Sequence, residues 1–325
     1  MVMAIRVYQH GGPEVLQVET IDLPPPSPGE ARVRHTAIGV NYIDTYFRSG
    51  LYAAPNGLPL IPGNEAAGVV EAVGGGVTLV KPGDRVVYLF GPGAYISERN
   101  VPAEKLLPIP DRISDEVAAA VLLKGLTAQY LLRRTFEIGP QHTLLFHAAA
   151  GGVGLIAGQW AKHLGAKTIG TAGSKAKVEL ALANGFDHVI NYAEADFVAE
   201  TLAITDGKKL DVVYDSVGKN TFPASLDVLK PLGLFVTFGQ SSGPIPPVDL
   251  GILNTKGSLY VTRPSLFAYH TTRESLLKAC SELFALIEQG ILNITVNQRF
   301  ALRDAHLAHE ALEGRATTGA TVLLP

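Results

Sequence analysis

Hydrophobic and polar positions along the chain follow three successive rhythms, with changes near residues 110 and 260. Before residue 110, strand-like apolar runs occupy residues 3–9, 15–20, 30–39, 68–73 and 84–89. They are broken by Gly11-Gly12-Pro13, the proline run 24–28, the glycines 74–76 and Pro82-Gly83, all strong turn signals. That pattern predicts a partly open β-barrel or rolled sheet. The middle region behaves differently. An apolar run in 142–154 (HTLLFHAAAGGVG) ends in small residues and closely spaced glycines. A helical pattern then follows through Leu155, Ile156, Gln159, Trp160 and Leu164. Further strands are predicted at 166–173, 187–191, 210–215, 233–238 and 257–261, with a helix over 175–184. Strands alternating with helices at this spacing predict a parallel sheet covered on both faces. The last region reads as a helix over 275–289 stopped by Gly290, a strand over 295–300, a helix over 302–313 and a strand over 320–324.

The fold class is therefore α/β, with a β-rich domain interrupted by a doubly wound one. The short apolar final strand is expected to return to the first domain. Boundaries are expected at 1–123 and 266–325 for the β-rich domain, and at 124–265 for the inserted one, with a ligand cleft between them. The strand–turn–helix at 142–164 is where glycines let a backbone approach a pyrophosphate and leave it at a helix N-terminus. Ala150, Gly151, Gly152, Val153 and Gly154 form that turn.

Composition narrows the function classes. The chain has 325 residues, 47 % of them hydrophobic, and a formal charge of −3, ordinary values for a soluble globular protein. No block of Lys and Arg is present, so nucleic acid and anionic membrane are not expected partners. No run approaches 18 uninterrupted apolar residues and the first ten residues read as strand, so the cytoplasm is the expected location. The single cysteine, Cys280, excludes internal disulfides and a thiolate metal cluster, and is expected to be a small buried hydrophobe.

Cofactor choice follows from the end of the second strand of the inserted domain. A site for NAD places Asp or Glu there to hold the ribose 2′-hydroxyl. Here the segment reads Thr171-Ala172-Gly173-Ser174-Lys175-Ala176-Lys177, with no acid before Glu179. A hydroxyl and lysines accommodate a 2′-phosphate that a carboxylate would repel, so NADPH is expected, held by Lys177 first and Ser174 second. Gly173 and Tyr192 would stand at the adenosine end.

Five segments together resemble the medium-chain dehydrogenase/reductase superfamily, and within it the NADPH:quinone oxidoreductases, or zeta-crystallin-like proteins. They are Gly39-Val-Asn-Tyr-Ile-Asp-Thr-Tyr, Pro62-Gly-Asn-Glu-Ala-Ala-Gly, Val80-Lys-Pro-Gly-Asp-Arg-Val, Ala148-Ala-Ala-Gly-Gly-Val-Gly and Asp215-Ser-Val-Gly. The resemblance spans essentially the whole chain. It implies a GroES-like catalytic domain with an inserted Rossmann domain, usually in a homodimer. Ala149 stands where many relatives have a first glycine, as in the quinone reductase branch. The resemblance also places Thr127, Tyr130, Ser216, Gly218, Phe238, Gly239, Gln240 and Arg315 near the cofactor. Helix packing remains an alternative for Thr127 and Tyr130.

Zinc-dependent relatives carry a Cys followed three positions on by Asp, and a Gly-His-Glu. The matching positions here are Asn41 with Asp44, and Gly63-Asn64-Glu65. An amide is a poor zinc ligand, and the relatives' four-cysteine lobe is also missing, so a zinc-free enzyme is expected. His306 and His309, one turn apart on a helix, are expected to be surface residues. Without a Lewis acid, an easily reduced acceptor is the consistent substrate, a quinone first. An enone or alkenal reductase of the same superfamily is the alternative enzyme, and a nucleotide-dependent RNA-binding protein the alternative of another class. Asn41, Asp44, Tyr46, Tyr52 and Arg263 are the candidate catalytic residues, orienting the acceptor over the nicotinamide. Each tyrosine is equally compatible with a core position whose hydroxyl reaches the edge. Asp44 either orients neighbours or is a buried structural carboxylate, and Arg263 is either a site residue or merely solvated.

Overall fold

A computed structural model describes all residues, 1–325. The chain forms two compact units, Met1–Lys124 with Thr272–Glu288 and Ile294–Pro325, and Gly125–Thr271 with Gln289–Asn293.

The first unit opens with the antiparallel pair β1 (Val2–Arg6) and β2 (Gln17–Ile21). Next come β3 (Glu30–Gly39), α1 (Tyr42–Ser49), β4 (Glu65–Val73), β5 (Arg85–Leu89), β6 (Glu98–Pro102) and β7 (Leu106–Pro108). Neither β6 nor β7 was legible as a strand, because Arg99-Asn100 and Pro108-Ile109-Pro110 break any alternation. The segment 42–49 was not legible as a helix either. Its ends explain it: the Asn41 N–H donates to Asp44 Oδ2, the returning half of a capping box, and Gly50 closes it at φ +80°.

The helix α2 (Asp115–Tyr130) leads to the second unit, which continues β8 (Thr143–Phe146), α3 (Gly152–His163), β9 (Lys167–Ala172), α4 (Lys175–Ala183), β10 (His188–Asn191), α5 (Phe197–Ile204), β11 (Leu210–Asp215), β12 (Leu229–Thr237), α6 (Gly251–Thr255), β13 (Tyr260–Thr262) and α7 (Leu266–Tyr269). Its six strands are all parallel, in the order β10-β9-β8-β11-β12-β13. The chain winds outward from β8 in one direction and from β11 in the other, so the switch point lies between them. Leu145, Ile169, Val213 and Phe235 are buried on this sheet because both faces are covered.

The chain then returns to the first unit through α8 (Arg273–Glu288), β14 (Val296–Ala301), α9 (Ala305–Glu313) and β15 (Ala320–Leu324). As expected from its apolar content, the last strand pairs antiparallel with β3, and also parallel with β14. Leu302, Ala305, Ala308 and Leu323 join Ile5, Val33, Ile38 and Tyr88 in one core, so the C-terminal segment completes the first unit. Cys280 is buried, and burial pushes its thiol up to about 12. No helix is long and apolar enough to cross a membrane.

Candidate active site

In the second unit, the residues expected to hold the cofactor gather at the carboxyl ends of the parallel strands. After β8, the Ala149 N–H donates to Thr171 O, and the turn swings into α3 through Ala148, which takes a left-handed backbone at φ +56°. That is an uncommon conformation for a residue with a side chain. Gly154 has no such latitude: a Cβ there would stand 2.5 Å from Ala149 O and 2.6 Å from Ala148 O. Gly151 caps α3 without any side-chain hydrogen bond, and no acid stands in the first turn. The first N–H groups of α3 are thus left for an anion, which the helix dipole also attracts. Ala150, Gly152 and Val153 complete this cradle.

The neighbouring strands extend the edge. The Ser174 hydroxyl caps α4, accepting from the Lys177 N–H, which places both side chains just beyond β9 and Gly173. The Tyr192 N–H donates to Ala172 O, holding that tyrosine beside Gly173. After β11, the buried Asp215 carboxylate accepts from the N–H groups of Val217 (2.6 Å) and Gly218 (3.2 Å) and from Thr221 Oγ1 (2.7 Å). It thereby fixes the turn that carries Ser216 and Gly218. Ser241 N–H donates to Ser216 O, tying that turn to the Phe238-Gly239-Gln240 loop after β12, and the Phe238 ring packs on Phe146. Arg263, just past β13, donates to Gln240 Oε1 (3.0 Å) and Thr237 Oγ1 (3.2 Å). Thr127 and Tyr130 are buried on the last turns of α2, where Tyr130 stacks on Tyr269 at 4.7 Å and burial raises its hydroxyl pKa. A π-helical turn follows at Leu131–Thr135. Arg315 belongs to the first unit, just after α9, exposed and at φ +56°. An open helix N-terminus, a close backbone turn and a hydroxyl–lysine pair with no acid before Glu179 fit a phosphorylated dinucleotide.

In the first unit, Asn41, Asp44, Tyr46 and Tyr52 do come together. Tyr46 packs edge-on against Tyr52 at 5.2 Å, and the Tyr52 N–H donates to Tyr46 O. Asn41 and Asp44 lie in a buried polar network. Asn41 Nδ2 donates to Glu65 Oε1 (2.7 Å), and its Oδ1 accepts from Lys124 Nζ (2.8 Å), which also donates to Val40 O. Glu65 is fully buried, 3.6 Å from the Lys124 ammonium, and takes the Leu123 N–H on its other oxygen. Burial raises the Glu65 pKa, with Lys124 and the Asn41 amide pulling the other way. A side chain on Gly39 would strike the Glu65 carboxylate and Ala119 O, so only glycine lets β3 pass this network. Asn64 Nδ2 donates to Asp44 Oδ1 (2.6 Å), and Tyr95 Oη donates to Asp44 Oδ2 (3.1 Å). Burial lifts the Asp44 carboxyl to about 7, opposed by its Asn41, Asn64 and Tyr95 donors and reinforced by Glu65.

Lys124, Tyr95 and the two residues that extend this network beyond Tyr95, Arg48 and His309, were not singled out as candidate site residues. Lys124 had a usable signal, a single lysine inside the apolar stretch of α2. Tyr95 and Arg48 had none, and His309 was expected at the surface. It is instead fully buried, since the face of α9 bearing Ala305, Ala308 and His309 packs into the core.

Residues 27–111 match the family described as alcohol dehydrogenase GroES-like domain, and residues 152–283 the family described as zinc-binding dehydrogenase. The chain is 57 % identical to a quinone oxidoreductase of Salmonella typhimurium over an alignment covering all of both chains. It belongs to the quinone oxidoreductase family. A solved structure of Escherichia coli quinone oxidoreductase complexed with NADPH superposes with a TM-score of 0.97 at 55 % identity, over 99 % of this chain and 100 % of that one. A 2-haloacrylate reductase of a Burkholderia species is 44 % identical over 100 % of this chain and 99 % of its own. Zinc, which one family description carries, does not fit the buried network of this family member. Amides occupy the two matching positions, the carboxylates are already bonded by amides and an ammonium, and no group of three His, Cys, Asp or Glu able to hold a metal is present.

Proposed function

We infer that the chain is an NADPH-dependent quinone oxidoreductase that works without metal or flavin. The observation that carries this reading is the full-length likeness to the S. typhimurium quinone oxidoreductase at 57 % identity. Bound NADPH supplies a hydride equivalent from the nicotinamide C4.

The protein's own contribution is binding and orientation. In the proposed arrangement, the first N–H groups of α3 and the Ala150–Gly154 turn hold the pyrophosphate. Lys177 and Ser174 hold the 2′-phosphate, with Arg315 as a further cation, and Gly173 and Tyr192 flank the adenosine. Thr127, Tyr130, Ser216, Gly218, Phe238, Gly239 and Gln240 line the nicotinamide half. Asn41, Tyr46, Tyr52 and Arg263 orient the acceptor, and Asp44 acts through Asn41. A quinone accepts at an electron-poor ring, so hydrogen bonds to its oxygens replace the polarisation a metal would give. The likeness to a 2-haloacrylate reductase favours a second reading, reduction of an activated alkene by the same groups.

The proposed setting is the cytoplasm and the proposed assembly a homodimer. Strand β13 is an unpaired sheet edge with Tyr260 61 % and Val261 44 % exposed, a surface suited to pairing with a second copy. Sedimentation at micromolar concentration checks this, a monomer counting against it. For the activity itself, purified protein freed of flavin and metal should oxidise NADPH steadily with a panel of quinones and activated enones. No oxidation with any acceptor would overturn the reading.

A further inference from the structure

Arg48, His309 and Tyr95 form a buried chain in the first unit that has no part in the proposed function, and its hydrogen-bond directions are fixed by chemistry. Arg48 has only 2 % of its side chain exposed, and its two Nη atoms each lie 2.8 Å from a Glu313 carboxylate oxygen. Nη1 also lies 3.0 Å from His309 Nδ1, and His309 Nε2 lies 3.0 Å from Tyr95 Oη. Tyr95 Oη in turn lies 3.1 Å from Asp44 Oδ2. A guanidinium has donors and no acceptor, so His309 Nδ1 must carry a lone pair. The imidazole proton of the neutral ring is then on Nε2 and donates to Tyr95 Oη. The tyrosine hydroxyl, having accepted, spends its only proton on Asp44. Burial and the Arg48 charge lower His309 to about 3, which keeps the ring neutral in this arrangement.

We propose that Arg48, His309 and Tyr95 form a one-way hydrogen-bond relay that holds Asp44 as an acceptor and so positions Asn41 and α1 for the reaction. The proposal rests on the reading that Asn41 and Tyr46 face the acceptor. These are positioning residues: the relay ends on the carboxylate that receives the Asn41 N–H and the Asn64 amide. Asp44 closes the capping box in the first turn of α1, which carries Tyr46, so its geometry sets where Asn41 and Tyr46 point. The ionisable groups around it are Glu65 on β4, Tyr95, Arg48 on the same helix, and His309 and Glu313 on α9. Lys124 of α2 lies beyond Glu65. Removing a donor from Asp44 makes its anion harder to hold, so its titration moves to higher pH.

The substitutions separate direction from bulk. Gln at position 309 offers an acceptor and a donor on one side chain and can preserve the polarity, whereas Leu offers neither. Long-range proton–nitrogen spectra of the full-length resting protein should show His309 protonated on Nε2 between pH 6 and 8. The Asp44 carboxyl carbon should titrate about half to one pH unit higher in Tyr95→Phe and His309→Leu, but near the unaltered value in His309→Gln. The acid limb of kcat/KM should move in the same direction and order. An Nδ1 proton on His309, or an unmoved Asp44 titration in Tyr95→Phe, would overturn the relay. If His309→Leu does not fold, Tyr95→Phe against His309→Gln decides the matter. The spectra need no turnover, so failure of the quinone reading, seen as an inactive unaltered enzyme, is distinguished from failure of the relay.

Discussion

The two polar regions of this molecule are built in opposite ways. The carboxyl edge of the second unit's sheet is made of backbone: small residues, an open helix N-terminus and short loops, each local in sequence. The network of the first unit is made of side chains, drawn from residues 41, 44, 48, 64, 65, 95, 124, 309 and 313. A backbone cradle tolerates little added volume but few charges depend on it. A buried network of ions tolerates volume poorly and the loss of a single partner worse, because a lone charge is left without water.

That contrast is open to breakage, beginning where the effect should be greatest. Lys124→Met leaves the Glu65 carboxylate without its cation and should cost about 3–5 kcal/mol in denaturant unfolding. Adding Glu65→Gln should return much of that stability, and a double mutant no better than the single would show that the pair is not coupled. Gly154→Val should instead leave the first unit's core intact. The clash with the carbonyls of Ala148 and Ala149 should weaken NADPH binding by at least ~100-fold, read by fluorescence titration, which is about 2.7 kcal/mol. Next in size is Lys177→Ala, a single charge-assisted contact of roughly 1.5–3 kcal/mol. It should weaken NADPH about 10- to 100-fold and NADH little; equal losses would place Lys177 away from the 2′-phosphate.

A last effect concerns pH. Asp44 sits at about 7 when folded against an ordinary 3.8, so the native protein holds this proton more tightly than the unfolded chain does. Its contribution to stability is fully present below about pH 4 and is lost as pH rises through 7. The stability of the unaltered protein should therefore fall relative to Asp44→Asn across that window, by up to ~1.4 kcal/mol per pH unit. Parallel curves would mean that Asp44 titrates near its ordinary value.

The same contrast explains what the sequence made legible. Strand β11 and strand β15 were read to the residue, and the turn at 150–154 was found from its glycines, because the pattern that builds them is local in sequence. Helix α1 was missed because a helical period repeats only about twice in its 8 residues, although Asn41, Asp44 and Gly50 bracket it with local capping signals. Strand β6 was missed because an Arg-Asn pair interrupts its alternation. His309 was misplaced because one turn of α9 says nothing about Tyr95, which lies 214 residues away. Only tertiary pairing reveals that a histidine is buried between an arginine and a tyrosine. Lys124 was the missed opportunity: a lone lysine in an apolar helix needs a buried partner.

The proposed reaction is direct transfer from a nicotinamide to an easily reduced acceptor, both oriented by the protein, with no metal or flavin between them. Single-turnover transfer from NADPH deuterated at the transferring C4 position, with an enone acceptor and chelator present, tests it most directly. The expected result is a primary isotope effect on the chemical step and deuterium at a carbon position of the product that does not exchange. No isotope effect together with an absolute need for added flavin would contradict it.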